Sequence, residues 1–346
     1  MQTRVERMPR RGRPKMIYYF GLDIGNGNIK VAGDNVYERV PSYRAKNVFA
    51  SDGLGSVELE NEKFVVGEGA LISRQMLLRT VDRNTGKTDE IEKLYFGALA
   101  HIGELPKVLV SRVVVSSHAW KTNKQQIKDN LNQERKVVLS GKPITVKTEV
   151  LLVVPEGYGA VYSKKEPVAT FDFGKGTTTF TPYLKGKPLD AVVKHFGTQR
   201  LDSLISENMK VINGGYPGNE ELIMKALERG ELRVDGLNIK NIYQQALAQW
   251  WQQGLSELAK LASRYLADGY RIICIGGGVA LPGFSNILTK KGFEPVLERP
   301  EMANAKGLYE LALIKAKQLG HKIDSSSPQE RIENGQAILG SGYAAG

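Results

Sequence analysis

Val168-Ala-Thr-Phe-Asp-Phe-Gly-Lys-Gly-Thr-Thr-Thr-Phe180 reads as a strand, a glycine turn and a second strand, with an aspartate set just before the turn. The same layout stands about 150 residues earlier. There Met16-Ile-Tyr-Tyr-Phe-Gly-Leu-Asp-Ile-Gly25 runs into a turn at Gly25–Gly27, and Asn28-Ile-Lys-Val-Ala-Gly33 resumes the strand pattern. β-Branched and aromatic runs bounded by glycine are strand signals, and so short a turn makes a hairpin, not a strand–loop–helix unit. The shared (apolar)-Asp-x-Gly-x-Gly-x-x-(apolar) pattern is one repeat of a supersecondary unit. It predicts two similar domains, each carrying its own glycine hairpin. A third glycine cluster, Gly276-Gly-Gly278, ends the apolar strand that begins at Arg271.

Around these hairpins the chain alternates strands and helices. Phe64–Glu68 reads as a short strand leading into a helix. Asp89–Ile102 carries Ile91, Leu94, Tyr95, Ala98, Leu99 and Ile102 at helical spacing. Val108–Val115 and Val150–Val154 read as buried strands, the second stopped by Pro155. Lys136–Leu139 and Ile144–Thr148 form a hairpin across Ser-Gly-Lys-Pro, and Asn123–Leu131 is helical. Helices are expected at Gln199–Asn208, Glu220–Arg229, Ile239–Ala267 and Ala303–Lys317. The expected division is a disordered basic arm over 1–15, domain I over 16–165 completed by a C-terminal helix over 303–320, domain II over 166–302, and a flexible tail over 321–346.

The 346 residues suggest about two domains. A single cysteine, Cys274, excludes an intramolecular disulfide and a cysteine-built zinc or iron–sulfur site, and it fits a reducing cytoplasm. His101, His118, His195 and His321 are too scattered for a close-spaced metal motif. The longest apolar runs fall far short of the about 18–20 residues of a membrane span, and no apolar stretch follows the basic N-terminus as a secretory signal would require. The net charge is +11, which favours polyanions. It is uneven: residues 1–15 hold Arg4, Arg7, Arg10, Arg11, Arg13 and Lys15 against Glu6 alone, a net +5.

The glycine loops point to phosphate. Glycine permits positive φ and lets backbone N–H groups approach a phosphate closely. A carboxylate facing a triphosphate is tolerated through a cation, so Asp23 and Asp172 read as ligands of hydrated Mg²⁺. Lys30 offers an ammonium, and Thr177 and Thr178 offer hydroxyls and backbone donors. One Asp-x-Gly-x-Gly alone is as well explained by a tight β-turn. Two copies followed by the triple glycine carry the phosphate reading.

With these residues in place the chain resembles the actin, heat-shock-chaperone and sugar-kinase ATPase superfamily over about residues 16–320, and within it the ParM/StbA plasmid-segregation type and its archaeal relatives. Phe20-Gly-Leu-Asp-Ile-Gly-Asn-Gly-Asn-Ile-Lys30 resembles the phosphate-1 motif, Phe171-Asp-Phe-Gly-Lys-Gly-Thr-Thr-Thr179 the phosphate-2 motif, and Ile275-Gly-Gly-Gly-Val-Ala280 the adenosine motif. Phe64-Val-Val-Gly-Glu68 and Ala303-Asn-Ala-Lys-Gly307 also resemble segments of these proteins. The resemblance implies an α/β fold of two RNase H-like, actin-like domains flanking a nucleotide cleft, with ATP and Mg²⁺ as cofactors. It implies that Asp23 and Asp172 hold Mg²⁺ through water. Gly25, Asn26, Gly27, Asn28 and Lys30 would cradle the phosphates from one side, and Gly174, Lys175, Gly176, Thr177 and Thr178 from the other. Gly197 and Asp202 would lie near the ribose and base, and Gly276, Gly277 and Gly278 would pass the adenosine. Glu156, in Pro155-Glu156-Gly157, stands where the family orients the attacking water; as a plain reading it is a turn after a strand.

Two departures mark this sequence. Lys175 replaces a glycine of the phosphate-2 loop and either touches a phosphate or projects into solvent, while Thr179 stands where a final Asp is common. Ser116-Ser-His-Ala-Trp120 replaces a Gly-Leu-Pro segment, as a changed subunit contact or as a buried turn. Residues 9–15, Pro-Arg-Arg-Gly-Arg-Pro-Lys, resemble an AT-hook. Arg11, Gly12, Arg13 and Pro14 would lie in a narrow A·T minor groove. A solubilising leader, or Met16 as the true start, reads the same residues without DNA. Trp250 and Trp251 read as core plus surface, Cys274 as an inert packed thiol, and His195 as packing or solvent-facing.

The leading functional expectation is a cytoplasmic, slowly hydrolysing ATPase that assembles with itself into nucleotide-dependent filaments and moves or positions plasmid DNA through a DNA-binding adaptor. The alternative is a small-molecule, sugar-type kinase of the same superfamily. A chaperone-like ATPase would need a peptide-binding domain after residue 320, and a non-hydrolysing scaffold is opposed by Asp23, Glu156 and Asp172.

Overall fold

The computed structural model describes residues 16–46, 53–73, 76–79, 86–118, 120–321 and 323. The basic arm with Arg11, Gly12, Arg13 and Pro14, and all but two residues of the expected tail, lie outside the described residues.

Both glycine turns are hairpins. Met16–Ile24 pairs antiparallel with Asn28–Gly33, and Val168–Phe173 with Thr178–Leu184. Each first strand then takes a parallel neighbour on its other edge, Val108–Ser116 in one case and Arg271–Ile275 in the other. The repeat read in the sequence is thus a repeat of topology. Among the described residues the first sheet has ten strands and the second six.

Strand Met16–Ile24 alternates between two helix layers because successive side chains leave a strand on opposite faces. Phe20 and Leu22 enter one core with Leu94, Tyr95 and Leu99 of helix Ile91–Leu99. Tyr19 faces the other side, with Leu308, Tyr309 and Leu313 of helix Ala303–Gln318. Covered on both faces, Val113, Val114 and Val115 have to be apolar throughout, which is why their run gives no alternation. Helix Ala303–Gln318 follows the second sheet in the chain yet packs on the first. Gly21 makes that packing tight: a Cβ there would run into the Ala305 carbonyl oxygen and the Tyr309 amide nitrogen.

The second sheet packs on an aromatic core. Phe171 and Phe173 stack at 4.4 Å between ring centroids, and Phe284 meets Phe173 edge-on at 5.1 Å. Replacing a buried ring of this kind by alanine costs about 3–5 kcal/mol.

Two expected elements differ. Val150–Val154 is not separate from Ile144–Thr148: one 13-residue strand, Lys142–Val154, spans both. Its register slips between Val150 and Leu152, so a continuous strand reads in sequence as two. The expected helix Ile239–Ala267 is broken into Lys240–Trp250 and Ser256–Ala267 by a π-turn over Trp251–Leu255. The extra residue admits the Phe196 ring against Gly254, where a Cβ would occupy the ring's own position. Trp250 is buried and Trp251 half-buried; Cys274 is buried, which pushes its thiol well above the usual range, and His195 is exposed.

Candidate functional site

The two hairpins face each other across a cleft of about 370 Å³. Asp23 sits one residue before the end of its strand and pairs in register with Lys30 on the return strand. Directly opposed residues of an antiparallel pair share a face, so spacing seven apart becomes contact: Lys30 Nζ lies 2.9 Å from Asp23 Oδ2. In the second hairpin the equivalent cross-strand partners are Asp172 and Thr179.

The buried Asp23 carboxylate is held from behind. Ser116 donates its hydroxyl to Asp23 Oδ1 at 3.1 Å, and Asn304 Nδ2 donates to Ser116 Oγ at 3.0 Å. Asn304 Oδ1 then accepts from the Gly159 amide at 2.9 Å. The chain of bonds joins strand Val108–Ser116, the C-terminal helix and the turn after Glu156. Asn304 belongs to the segment Ala303–Gly307, whose resemblance to the family gives no sign that its amide is buried.

Lys30 titrates above its usual value although burial alone would lower it, because Asp23, Asp172 and Glu156 together oppose the loss of its proton. One ammonium therefore senses three carboxylates. Oxygen-only donors from two strands at the mouth of glycine loops fit a hydrated divalent cation carried with a polyphosphate. Among the described residues no group of three or more His, Cys, Asp or Glu is arranged to hold a metal unaided.

The cleft surface brings together Asp23, Gly25, Asn26, Gly27, Asn28, Lys30, Glu156, Asp172, Gly174, Lys175, Gly176, Thr177, Asp202, Gly276 and Gly277. Three expected residues stand behind it. Thr178 is buried and donates its hydroxyl to the Phe196 carbonyl at 2.9 Å. Gly278 packs on Phe173, where a Cβ would come within 2.6 Å of the Phe173 Cβ. Gly197 lies under the second loop, and its carbonyl accepts from Trp250 Nε1 at 3.0 Å. The helix beginning at Thr198 spends its first free amides on that loop: Thr198 N donates to Gly174 O at 3.0 Å and Gln199 N to Lys175 O at 2.9 Å.

Lys175 lines the cleft, but its ammonium is 3.1 Å from Asp202 Oδ2 and does not project into solvent. Burial pushes the Asp202 carboxyl up to about 6 even though Lys175 acts to lower it. The two loops touch, since a Cβ on Gly27 would approach Lys175 Cβ within 2.6 Å and one on Gly176 would approach Asn26 Nδ2 within 2.7 Å. Gly276 has φ +91°, and a Cβ there would collide with Asp172 Oδ1. Sequence reading missed Arg39, Met224, Leu227, Glu228, Leu281, Arg299 and Glu301, which also line the cleft.

Residues 21–159 match the N-terminal domain of actin-like proteins. The apo ParM of psk41 superposes with a TM-score of 0.62 at 18% identity, over 88% of this chain and 99% of that one. The chain has the actin-like fold. The archaeal actin homolog Ta0583 matches this actin-like chain with a TM-score of 0.66 at 19% identity, over 86% of this chain and 99% of the homolog. A subunit of the 15-stranded ParM filament from Clostridium botulinum gives 0.65 at 20%, over 86% and 99%. Ta0583 has also been solved in complex with ADP. No curated protein matches the chain. Among the described residues no helix is long and apolar enough to cross a membrane.

Proposed function

We propose that this actin-like chain binds Mg-ATP between its two sheets, hydrolyses it slowly and assembles head-to-tail into nucleotide-dependent filaments. The observation that carries this is the convergence of both Asp-x-Gly-x-Gly hairpins, Lys30 and the Gly276 loop on one cleft. Domain I, 16–165 with the 303–320 helix, would hold the phosphates from one side and domain II, 166–302, from the other. Gly25, Asn26, Gly27, Asn28 and Lys30 face Gly174, Lys175, Gly176 and Thr177 across the triphosphate; Thr178 braces the second loop through Phe196. Asp202, already paired with Lys175, faces the ribose, and Gly276, Gly277 and Gly278 leave room for the adenosine.

Asp23 and Asp172 would hold Mg²⁺ through water, and the ion supplies charge neutralisation for the triphosphate. Glu156 orients the attacking water. Phosphoryl transfer depends chiefly on positioning and charge, so a single carboxylate gives slow turnover. A contact between unlike surfaces that does not close a ring builds a filament, and the ParM filament neighbour supports that reading. The task we assign is segregation of plasmid DNA in the cytoplasm through a DNA-bound adaptor, with residues 9–15 as a direct DNA contact.

Right-angle light scattering on adding Mg-ATP, with Mg-ADP as control, tests this. A rise that decays as phosphate is released is expected; no rise with ATP bound overturns the filament. The sugar-type kinase is the second reading, favoured by a cavity of about 250 Å³ beside Glu156. Phosphate transfer to a sugar panel distinguishes it.

A further inference from the structure

That second cavity lies on the far side of Glu156 from the cleft, and Glu156 lines both. Its walls include His118 and Trp120, which follow strand Val108–Ser116, and Thr179 of the second hairpin. His118 Nδ1 stands 3.9 Å from Glu156 Oε1. The Glu156 side chain is 11% exposed and that of His118 40%. A nearly buried carboxylate on the nucleotide side thus meets an imidazole that opens to solvent. The other charged groups of this cavity, Lys121 and Asp190, face each other at 3.8 Å. Thr179, the partner of Asp172, contributes only a hydroxyl. Lys30 acts on Glu156 from the cleft side.

We propose that His118 is the positioning and proton-relay partner of Glu156 in ATP hydrolysis, an inference that rests on the role given to Glu156 above. The attacking water forms a new oxygen–phosphorus bond at the γ-phosphorus. The bond from that phosphorus to the β–γ bridging oxygen breaks, and its electron pair leaves on ADP. One water proton passes to the Glu156 carboxylate and on to Nδ1 of neutral His118. Glu156 returns to its ionised form and the imidazolium releases the proton to solvent, so that ATP and water give ADP, inorganic phosphate and one proton. At 3.9 Å the pair has to close up, or take one bridging water, for the proton to pass, and the exposed side of the imidazole gives that proton a way out.

The test is phosphate release at saturating Mg-ATP between about pH 5 and 8, the range in which an unperturbed imidazole changes charge. It compares the full chain with its His118→Gln, His118→Ala and Glu156→Gln variants. Both His118 variants are expected to lose about ten-fold or more in kcat, with KM for ATP and affinity for ADP unchanged. The wild type is expected to lose kcat on the acid side, and both His118 variants to lack that fall. Asp202 titrates in the same range, but it acts on nucleotide binding and enters KM. Imidazole added to the His118→Ala variant is expected to restore kcat. A wild type that cleaves ATP while both His118 variants match it overturns this inference alone, as does a loss of kcat that imidazole leaves unrestored. A wild type that binds ATP without cleaving it, or a Glu156→Gln variant as fast as the wild type, overturns the parent reading and this one with it.

Discussion

Arg39 and Glu228 clasp across the mouth of the cleft, with Arg39 Nη1 3.3 Å from Glu228 Oε1 and Nη2 3.1 Å from Oε2. Arg39 belongs to the strand beside the first hairpin, and Glu228 ends helix Glu220–Glu228 of the other half. Both side chains are more than a third exposed, and exposed pairs contribute only about 0.2–1 kcal/mol. Arg39→Ala and Glu228→Ala should therefore leave the melting temperature nearly unchanged. Dissociation of a fluorescent ADP should speed up by as much as about five-fold at low salt, the rate equivalent of that energy. Stopped-flow traces checked in a double-mutant cycle should give single effects that do not add.

Asp202 predicts a pH dependence. Its carboxyl is raised to about 6 in the folded protein, against about 3.9 in an unfolded chain. A raised folded value means that this group's stabilising contribution is complete below about pH 4 and is lost as pH rises through about 6. Asp202→Asn should flatten that part of the stability profile in nucleotide-free protein. If Asp202 accepts from ribose hydroxyls, ADP affinity falls on going from pH 7 to 5 in the wild type and stays level in the variant; titration calorimetry at several pH values reads both.

Gly276 and Gly277 are neighbours with opposite expectations. Gly276 has φ +91° and no room for a Cβ beside Asp172, whereas a Cβ on Gly277 meets nothing within 4 Å. Gly276→Ala should lower stability by about 1–3 kcal/mol and push Asp172 aside, weakening Mg²⁺-dependent nucleotide binding. Gly277→Ala should melt like the wild type. Thermal unfolding without nucleotide separates the two.

Gly307 faces the backbone of Gly159, and a Cβ on it would sit on the Gly159 carbonyl. Gly307→Ala should destabilise by about 1–3 kcal/mol through overpacking, outweighing the about 1 kcal/mol that alanine gains over glycine in a helix. Denaturant titration measures the balance, and a stabilised variant would show that the helix has room to shift.

Much of this was legible from local pattern. Asp23 and Asp172 stand out by their position before a glycine turn, whereas Lys30 is expected on the phosphates and its ion pair with Asp23 comes from the hairpin register. Buried strands such as Val108–Ser116 show as apolar runs because both faces are covered. What stayed hidden depends on contacts far apart in sequence. Arg39 and Glu228 are 189 residues apart and each reads as an ordinary solvated charge. Lys175 meets Asp202 only because helix Thr198–Asn208 docks on the second loop. His118 and Glu156 each lie two residues past the end of one of two adjacent parallel strands, and no periodicity in either strand forecasts that they meet. The π-turn was invisible because its cause, the Phe196 ring against Gly254, comes from another element.

The bond from Gly159 to Asn304 has a mechanical meaning as well. The chain leaves the first sheet after Val154 and returns to it with the helix that begins at Ala303, and that bond ties the outgoing turn to the returning helix. With Gly307 seated on Gly159, the outgoing turn and the returning helix leave no room between them for a side chain. The crossing is held by closely seated glycines and one buried amide, and the Arg39–Glu228 contact by two exposed side chains, so a substitution can alter either without touching the other.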